Sequence, residues 1–162
     1  MKPEIAQPSR PAVALATLIE QTARGIYDQR GPAHIHPVQW AALRFFARAN
    51  RRARSVAGLA RYLDVTLAPA SRTVSALKRH GLISTEKDPE DARVSVISLT
   101  PAGRELLQSD PIFRLARALQ DLPDEQFETL GQSLADITAR MSNGMTGEAA
   151  SGRAVNGGRQ QD

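Results

Sequence analysis

Short hydroxyl side chains and arginines occur together between residues 66 and 79, a stretch that contains no acidic residue. On one face of a helix, such side chains can enter the major groove of DNA, which is about 12 Å wide, and reach base edges or phosphates. Arg72 is the best candidate for a bidentate contact with guanine, and the hydroxyl groups suit phosphates or bases. The face consists of Thr66, Ala68, Pro69, Ser71, Arg72, Ser75 and Arg79.

Two helices joined by a tight turn would position this face. Ser55 can cap a helix over residues 56–63, after which a two-residue turn follows. Thr66 is expected to cap a second helix, which runs from residue 67 to about residue 80 and ends at Gly81. Small alanines at the contact would let the two helices cross closely. The packing residues are Leu59, Ala60 and Leu63 on the first helix and Ala70, Val74 and Leu77 on the second.

Residues 82–100 change in character from helical to β-prone. Two β-prone segments, 82–85 and 94–99, flank a polar turn that contains Pro89, and this pattern predicts a two-stranded hairpin. A helix-turn-helix followed by a hairpin is typical of a winged helix-turn-helix. Packing of the two helices within some other all-α protein is the alternative.

Helical patterns also flank this region, and a helix over residues 37–50 is expected to bury a stripe of Trp40, Leu43, Phe46 and Ala47. The terminal apolar stripes exceed what a small lobe can cover, so we expect a dimer, with a compact monomer as the alternative. The predicted fold is mainly α with a small β-hairpin wing. Its segments are a flexible arm (1–10), an N-terminal dimerisation helix and loop (11–36), a DNA-binding lobe (37–100), C-terminal dimerisation helices (101–141) and a disordered tail (142–162).

Positive charge is concentrated in the middle of the chain. The 162 residues carry a formal net charge of +4, and 18 of the 21 basic residues are arginines. Residues 44–104 hold twelve basic and five acidic residues and net +7, whereas the remainder nets −3. The central segment therefore favours an anionic partner such as nucleic acid. A solvated basic face is the alternative.

The sequence lacks the residues that several other functions require. It contains no cysteine, which excludes disulfides, thiolate metal sites, cysteine nucleophiles and thiol oxidation switches. We find no Gly-rich phosphate loop and no nucleophile–base pair at a known spacing, so we expect neither an enzyme nor a cofactor. No apolar run approaches the roughly 18 residues of a membrane span, and the expectation is a cytoplasmic protein without a membrane partner.

With these elements in place, the chain resembles the multiple antibiotic resistance regulator (MarR) family over about residues 19–141. The most specific part is the aspartate and arginine of the hairpin, followed by a Leu-Thr-x-x-Gly-Arg pattern. The matching residues are Gln39-Trp40, Leu43, Leu59-Ala60, Leu63, Val65, Ser71-Arg72, Val74, Leu77, Gly81-Leu82-Ile83, Asp88-Pro89-Glu90-Asp91-Ala92-Arg93 and Leu99-Thr100-Pro101-Ala102-Gly103-Arg104.

The resemblance implies a homodimer with intertwined terminal helices and two winged lobes on pseudo-palindromic DNA. It also implies that Arg93 reaches into the minor groove while Asp91 holds it, which agrees with the negative potential of a narrow minor groove. A local surface pair of these two residues is the alternative. Lys87 is expected to face DNA together with Arg93, and the acidic residues of the wing are expected to face outward.

Members of this family often bind aromatic or phenolic anions between the dimer helices and the lobe, and their DNA affinity then falls. An arginine beside aromatic side chains could hold a carboxylate. A structural role is the alternative for each candidate. His34-x-His36 lacks the further ligands that a metal site needs, so no metal is expected. The ligand-binding candidates are Tyr27, His34, His36, Trp40 and Arg44.

The sequence therefore predicts a transcriptional regulator that binds double-stranded operator DNA as a homodimer. Repression is the expected sign of regulation, and release by a small aromatic or phenolic ligand is a further expectation. The alternative is a winged-helix module that docks a protein and does not bind specific DNA. Clustered positive charge and the acid-free helix face favour the DNA-binding function.

Overall fold

A computed structural model describes residues 7–27, 35–87 and 95–151, with side chains described as far as residue 141. The chain divides into two compact units, of which the first ends at Leu115 and the second begins at Ala116. The predicted fold class is confirmed, because the described residues form helices and one two-stranded antiparallel sheet. The elements are α1 (Arg10–Tyr27), α2 (Pro37–Arg48), a 3-10 helix (Arg51–Ala53), α3 (Val56–Leu63), α4 (Leu67–Arg79), β1 (Ile83–Lys87), β2 (Ser95–Leu99), α5 (Pro101–Leu107), α6 (Ile112–Gln120) and α7 (Asp124–Ser151).

Side-chain caps start two of the helices, and Ser55 is one of them, as predicted. The Ser55 hydroxyl accepts a hydrogen bond from the Gly58 amide at 3.1 Å, and the Thr100 hydroxyl accepts one from Gly103 at the same distance. Thr66 occupies the N-cap position of α4, but the prediction that its side chain caps the helix is wrong, since the hydroxyl makes no capping bond. Gly81 follows α4 with φ of +68°, a left-handed conformation that suits glycine.

The core of the first unit lies where α2, α3, α4 and the sheet meet. Phe46, Leu59 and Leu77 are among its fully buried side chains. The predicted stripe on α2 is correct except at its C-terminal end, where Ala47 is exposed and Ala42 is buried instead. Ala47 lies in the last turn of α2, next to the buried Phe46.

The wing is an antiparallel ladder that pairs Ile83 with Leu99 at one end and Lys87 with Ser95 at the other. The other edge of β2 is also used, because the Ile97 amide donates to the Arg54 carbonyl oxygen at 2.8 Å. The segment that follows the 3-10 helix is therefore joined directly to the wing.

A buried ion pair that the sequence did not reveal joins α2 to the N-terminus of α6. Arg44 donates from one guanidinium nitrogen to both carboxylate oxygens of Asp110, each at 2.8 Å, and from another to the Tyr27 hydroxyl at 3.1 Å. The Arg44 side chain is 19% exposed and that of Asp110 is 1% exposed. Burial lowers the pKa of Arg44, but hydrogen bonds to Asp110 and Tyr27 outweigh it and raise the pKa overall, so this guanidinium stays charged.

The terminal helices leave apolar side chains in solvent. All residues of α1 are exposed except Ile26 and Tyr27, which are half-buried. On α7, an exposed apolar stripe recurs every three or four residues. The predicted helix end at residue 141 is wrong, because α7 continues to Ser151. Once a helix has formed, each further residue adds a hydrogen bond at little cost, and composition alone does not capture this.

The predicted arm (1–10) and the predicted tail (142–162) are described only in part. Residues 1–6 of the arm and residues 152–162 of the tail lie outside the described residues. No described helix has the length and apolar character to cross a membrane.

Replacement of Asp110 by alanine tests the buried pair. Removing one partner leaves the Arg44 charge uncompensated, and it also removes the hydrogen bond that the Asp110 carboxylate accepts from the Ile112 amide at 2.9 Å. Since Arg44 keeps some solvent contact, we expect Asp110→Ala to lower the free energy of unfolding by about 2–3 kcal/mol, measured by urea denaturation at fixed protein concentration.

Tyr27→Phe is the matched control, because it removes one hydrogen bond from Arg44 and leaves the ion pair intact. We expect it to cost about 1 kcal/mol. An Asp110→Ala protein as stable as this control would contradict a stabilising role for the pair.

Candidate nucleic-acid interface

The two faces of α4 differ sharply in burial. Ala70, Thr73, Val74 and Leu77 are buried, and the contact with α3 runs along this side. The Thr73 hydroxyl donates to the Pro69 carbonyl oxygen at 3.1 Å, so it is satisfied within the helix. The predicted face lies on the opposite side. Thr66, Ala68, Ser71, Arg72, Ser75 and Arg79 are exposed, and Pro69 is half-buried.

The N-terminal turn of α4 presents more to solvent than the sequence indicated. The Thr66 hydroxyl is exposed and is not used as a helix cap. Leu67 is 59% exposed, although its spacing from Ala70, Val74 and Leu77 continues the buried stripe. Periodicity alone would place Leu67 on the buried face, so only the folded structure shows that it is accessible.

The exposed face of α4 carries positive charge that no described neighbour neutralises. The described residues contain two ion pairs, Arg24 with Glu20 and Arg44 with Asp110, and neither involves α4. Arg72 and Arg79 therefore have no ionic partner among the described residues. Asp64 is the last acidic residue before α4 in the sequence, and it ends α3 in a left-handed conformation.

The wing is described only in part. Lys87 is exposed at the end of β1, and Glu86 precedes it. Because successive side chains of a strand point to opposite faces, these two project from opposite sides of the hairpin, as expected for a wing with one basic side. Asp91 and Arg93 lie outside the described residues.

Four of the five predicted ligand-binding residues are described, and these four do not line one opening. Trp40 is buried in the core, and His36 is an exposed residue at the start of α2 whose amide donates to Gln39. His34 lies outside the described residues. Arg44 contacts Tyr27, as expected of neighbours, but its guanidinium already binds the Asp110 carboxylate.

The expectation that Arg44 holds a ligand carboxylate is therefore not supported, because its two best donors are occupied. Asp110 is 66 residues away in the chain, which is why the sequence did not reveal the pair. The described residues contain no group of three or more side chains that could hold a metal ion.

Comparison with known proteins finds a family match in the central part of the chain. Residues 35–94 match the family model described as "MarR family", a range that covers α2, α3, α4 and β1. This central part of the chain is therefore similar to MarR-family proteins. A probable transcriptional regulator from Pseudomonas aeruginosa has a similar solved structure, with 27% sequence identity, a TM-score of 0.63, and coverage of 77% of this chain and 95% of that chain.

More distant solved structures share the fold of this chain. Streptococcus pneumoniae FabT in complex with DNA is 18% identical with a TM-score of 0.66, and covers 83% of this chain and 96% of its own. S. aureus MepR bound to ethidium bromide is 20% identical with a TM-score of 0.51, over 84% and 97% of the two chains. The search of curated proteins found no match.

Proposed function

We propose that this chain is a MarR-family transcriptional regulator, a homodimeric repressor that binds pseudo-palindromic operator DNA through α4. The observation that carries the proposal is the exposed face of α4, which holds arginines and hydroxyl groups, no acidic residue and no described ionic partner. Its buried face is anchored on α3, so the helix projects as a rigid element. This is the arrangement in which the second helix of a helix-turn-helix enters the major groove.

The side chains of this face suit direct reading of bases. Arg72, in the middle of the exposed face, can donate two parallel hydrogen bonds to guanine O6 and N7. Ser71 and Ser75 flank it and can bind bases or phosphates. Leu67 and Ala68 form an apolar edge at the start of α4, and such an edge suits the methyl group of thymine. The proposed half-site therefore contains a guanine next to thymine-containing steps.

The wing supplies the second contact. Lys87 is exposed where β1 leads into the hairpin turn, and we propose that Arg93 enters the adjacent minor groove with Asp91 holding it in place. This role of the hairpin pair comes from the family resemblance. The exposed position of Lys87 supports it, because the lysine puts positive charge at the same end of the hairpin.

The exposed stripe on α7 supports dimerisation. It consists of Phe127, Leu130, Leu134, Ile137 and Met141, which recur at alternating spacings of three and four residues. A stripe at this spacing is typical of a helix that packs along another helix. A second copy of the chain would cover the stripe and place two α4 helices on the two halves of a palindrome. Repression follows because a dimer bound at an operator obstructs other proteins without needing further contacts.

We propose that a small aromatic anion releases the protein from DNA. Its proposed binding site differs from the one predicted around Arg44. An open cleft of about 190 Å³ lies in the first unit, lined by Thr22, Gly25 and Ile26 of α1 and by Arg114 and Leu115 of α6. Its size suits a single aromatic ring, and Arg114 could pair with a carboxylate.

Arg72→Ala tests base reading by α4. A bidentate arginine–guanine contact contributes about 1–3 kcal/mol of discrimination, so we expect the ratio of operator to random-sequence affinity to fall about ten- to one-hundredfold. Operator fragments selected by the wild-type protein from random duplexes serve as the probe, in fluorescence anisotropy titrations. Equal losses on operator and random DNA would assign Arg72 to phosphate contact. A wild-type protein whose DNA binding shows no salt dependence would favour the protein-docking alternative.

The dimer prediction concerns the α7 stripe. We expect the wild-type chain to sediment as a dimer at micromolar concentration and Leu134→Asp to shift it towards monomer, because a buried unpaired charge opposes association. Gln132→Asp places the same charge on the opposite side of α7 and should leave the dimer intact. A wild-type monomer in sedimentation equilibrium would refute the proposed covering of the stripe.

Benzoate is the probe for the proposed cleft. We expect millimolar benzoate to weaken operator binding by the wild-type protein, and Arg114→Ala to abolish this effect without changing DNA affinity in the absence of benzoate. Arg117→Ala, another exposed arginine of α6, is the matched control. An identical response of the Arg114→Ala and wild-type proteins would exclude the cleft as the site of release.

A further inference from the structure

Arg48 and Arg52 lie within five residues of each other, at the end of α2 and in the 3-10 helix, and both are exposed. We infer that these linker arginines form a second DNA-binding surface, which binds phosphates on the flank of the bases read by α4. The inference rests on the proposed function, since it extends the footprint of the same lobe. It adds residues that belong neither to α4 nor to the wing.

The linker arginines stand on a segment that is fixed to the helix-turn-helix. The Asn50 side chain accepts a hydrogen bond from the Ala53 amide at 3.0 Å and so caps the 3-10 helix. The Ala53 carbonyl oxygen lies so close to Gly58 of α3 that a Cβ on this glycine would overlap it. Close approach at a glycine presses the 3-10 helix against the N-terminal turn of α3, so its arginines keep a set position relative to α3 and α4.

Arg54 shows how the same segment is tied to the wing, and it has a different role from the linker arginines. Its Nε donates to the Ala49 carbonyl oxygen at 2.9 Å, and its own carbonyl oxygen accepts from the Ile97 amide of β2. These bonds connect the end of α2, the linker and the wing strand. The guanidinium of Arg54 therefore stabilises the fold, whereas Arg48 and Arg52 are exposed to solvent.

The charge of this surface is not neutralised locally. Arg48 and Arg52 form no ion pair or hydrogen bond with the side chains of the described residues. The first turn of α3 contains no acidic residue, and the N-terminus of a helix carries partial positive charge. Asp64 lies at the opposite end of α3. An anion that approaches the linker thus meets several positive charges and no described carboxylate from α3.

Helix-turn-helix geometry places this surface over the DNA backbone. When the second helix enters the major groove, the first helix crosses the sugar–phosphate backbone. Here the first helix is α3, and the linker arginines lie in the segment that leads into its N-terminal end. The groups they meet are phosphates rather than base edges, so their contribution is independent of sequence and falls as salt rises.

The test combines a double variant, Arg48→Ala with Arg52→Ala, and two DNA probes. The probes are an operator duplex selected by the wild-type protein and a random-sequence duplex of the same length. Each lost phosphate contact lowers the slope of log K against log salt by about 0.9, so we expect the double variant to lose roughly two units of slope. Its affinity should fall by the same factor on both duplexes, with the operator-to-random ratio unchanged. Arg117→Ala, outside the lobe, should match wild type in slope and affinity.

Thermal unfolding distinguishes this role from a structural one, because Arg48 also lies in the last turn of α2, where its charge favours the helix dipole. The double variant should keep the wild-type unfolding midpoint to within a few degrees. A steep wild-type slope with an equal slope for the double variant would overturn this inference alone. A wild-type slope near zero on both duplexes would overturn the proposed function together with it.

Discussion

Burial of one side of α4 against α3 is the constraint on which the proposed DNA-binding surface depends. Ala60 and Ala70 are both buried, and their small side chains allow the two helices to approach closely. Since Val74 and Leu77 face the core, Arg72 and Ser75 must face solvent, because they lie on the other side of the same helix. The contact that stabilises the lobe thus also selects which side chains can meet DNA.

Two arginines, Arg44 and Arg54, connect elements of the first unit in a similar way. The Arg44 guanidinium connects α2, the end of α1 and the start of α6, because it donates hydrogen bonds to Tyr27 and to the buried carboxylate of Asp110. A charged residue in this position stabilises one relative arrangement, because a shifted arrangement would leave Asp110 buried without its partner. Arg54 acts similarly between α2 and the wing, through its side chain on one side and its backbone on the other.

Arginines of this chain therefore fall into two groups that composition does not separate. Arg44 and Arg54 are engaged by the fold, whereas Arg72 and Arg52 face solvent without an ionic partner among the described residues. A net charge of +7 over residues 44–104 overstates the charge available to DNA, because part of it is neutralised inside the unit. The exposed arginines of the described residues include those of α4 and of the linker before α3.

Local sequence signals determined most of the elements and the reading face of α4. Periodicity, caps and the glycine after the helix predicted α3 and α4 almost to the residue, because these signals act within one or two helical turns. Tertiary structure decided the partner of Arg44, the exposure of Leu67 and the close contact between the 3-10 helix and Gly58. The partner of Arg44 is distant in the chain, and the other two features depend on how neighbouring elements pack. Spacing shows which side chains share a face, but only the packed neighbours determine whether that face is covered.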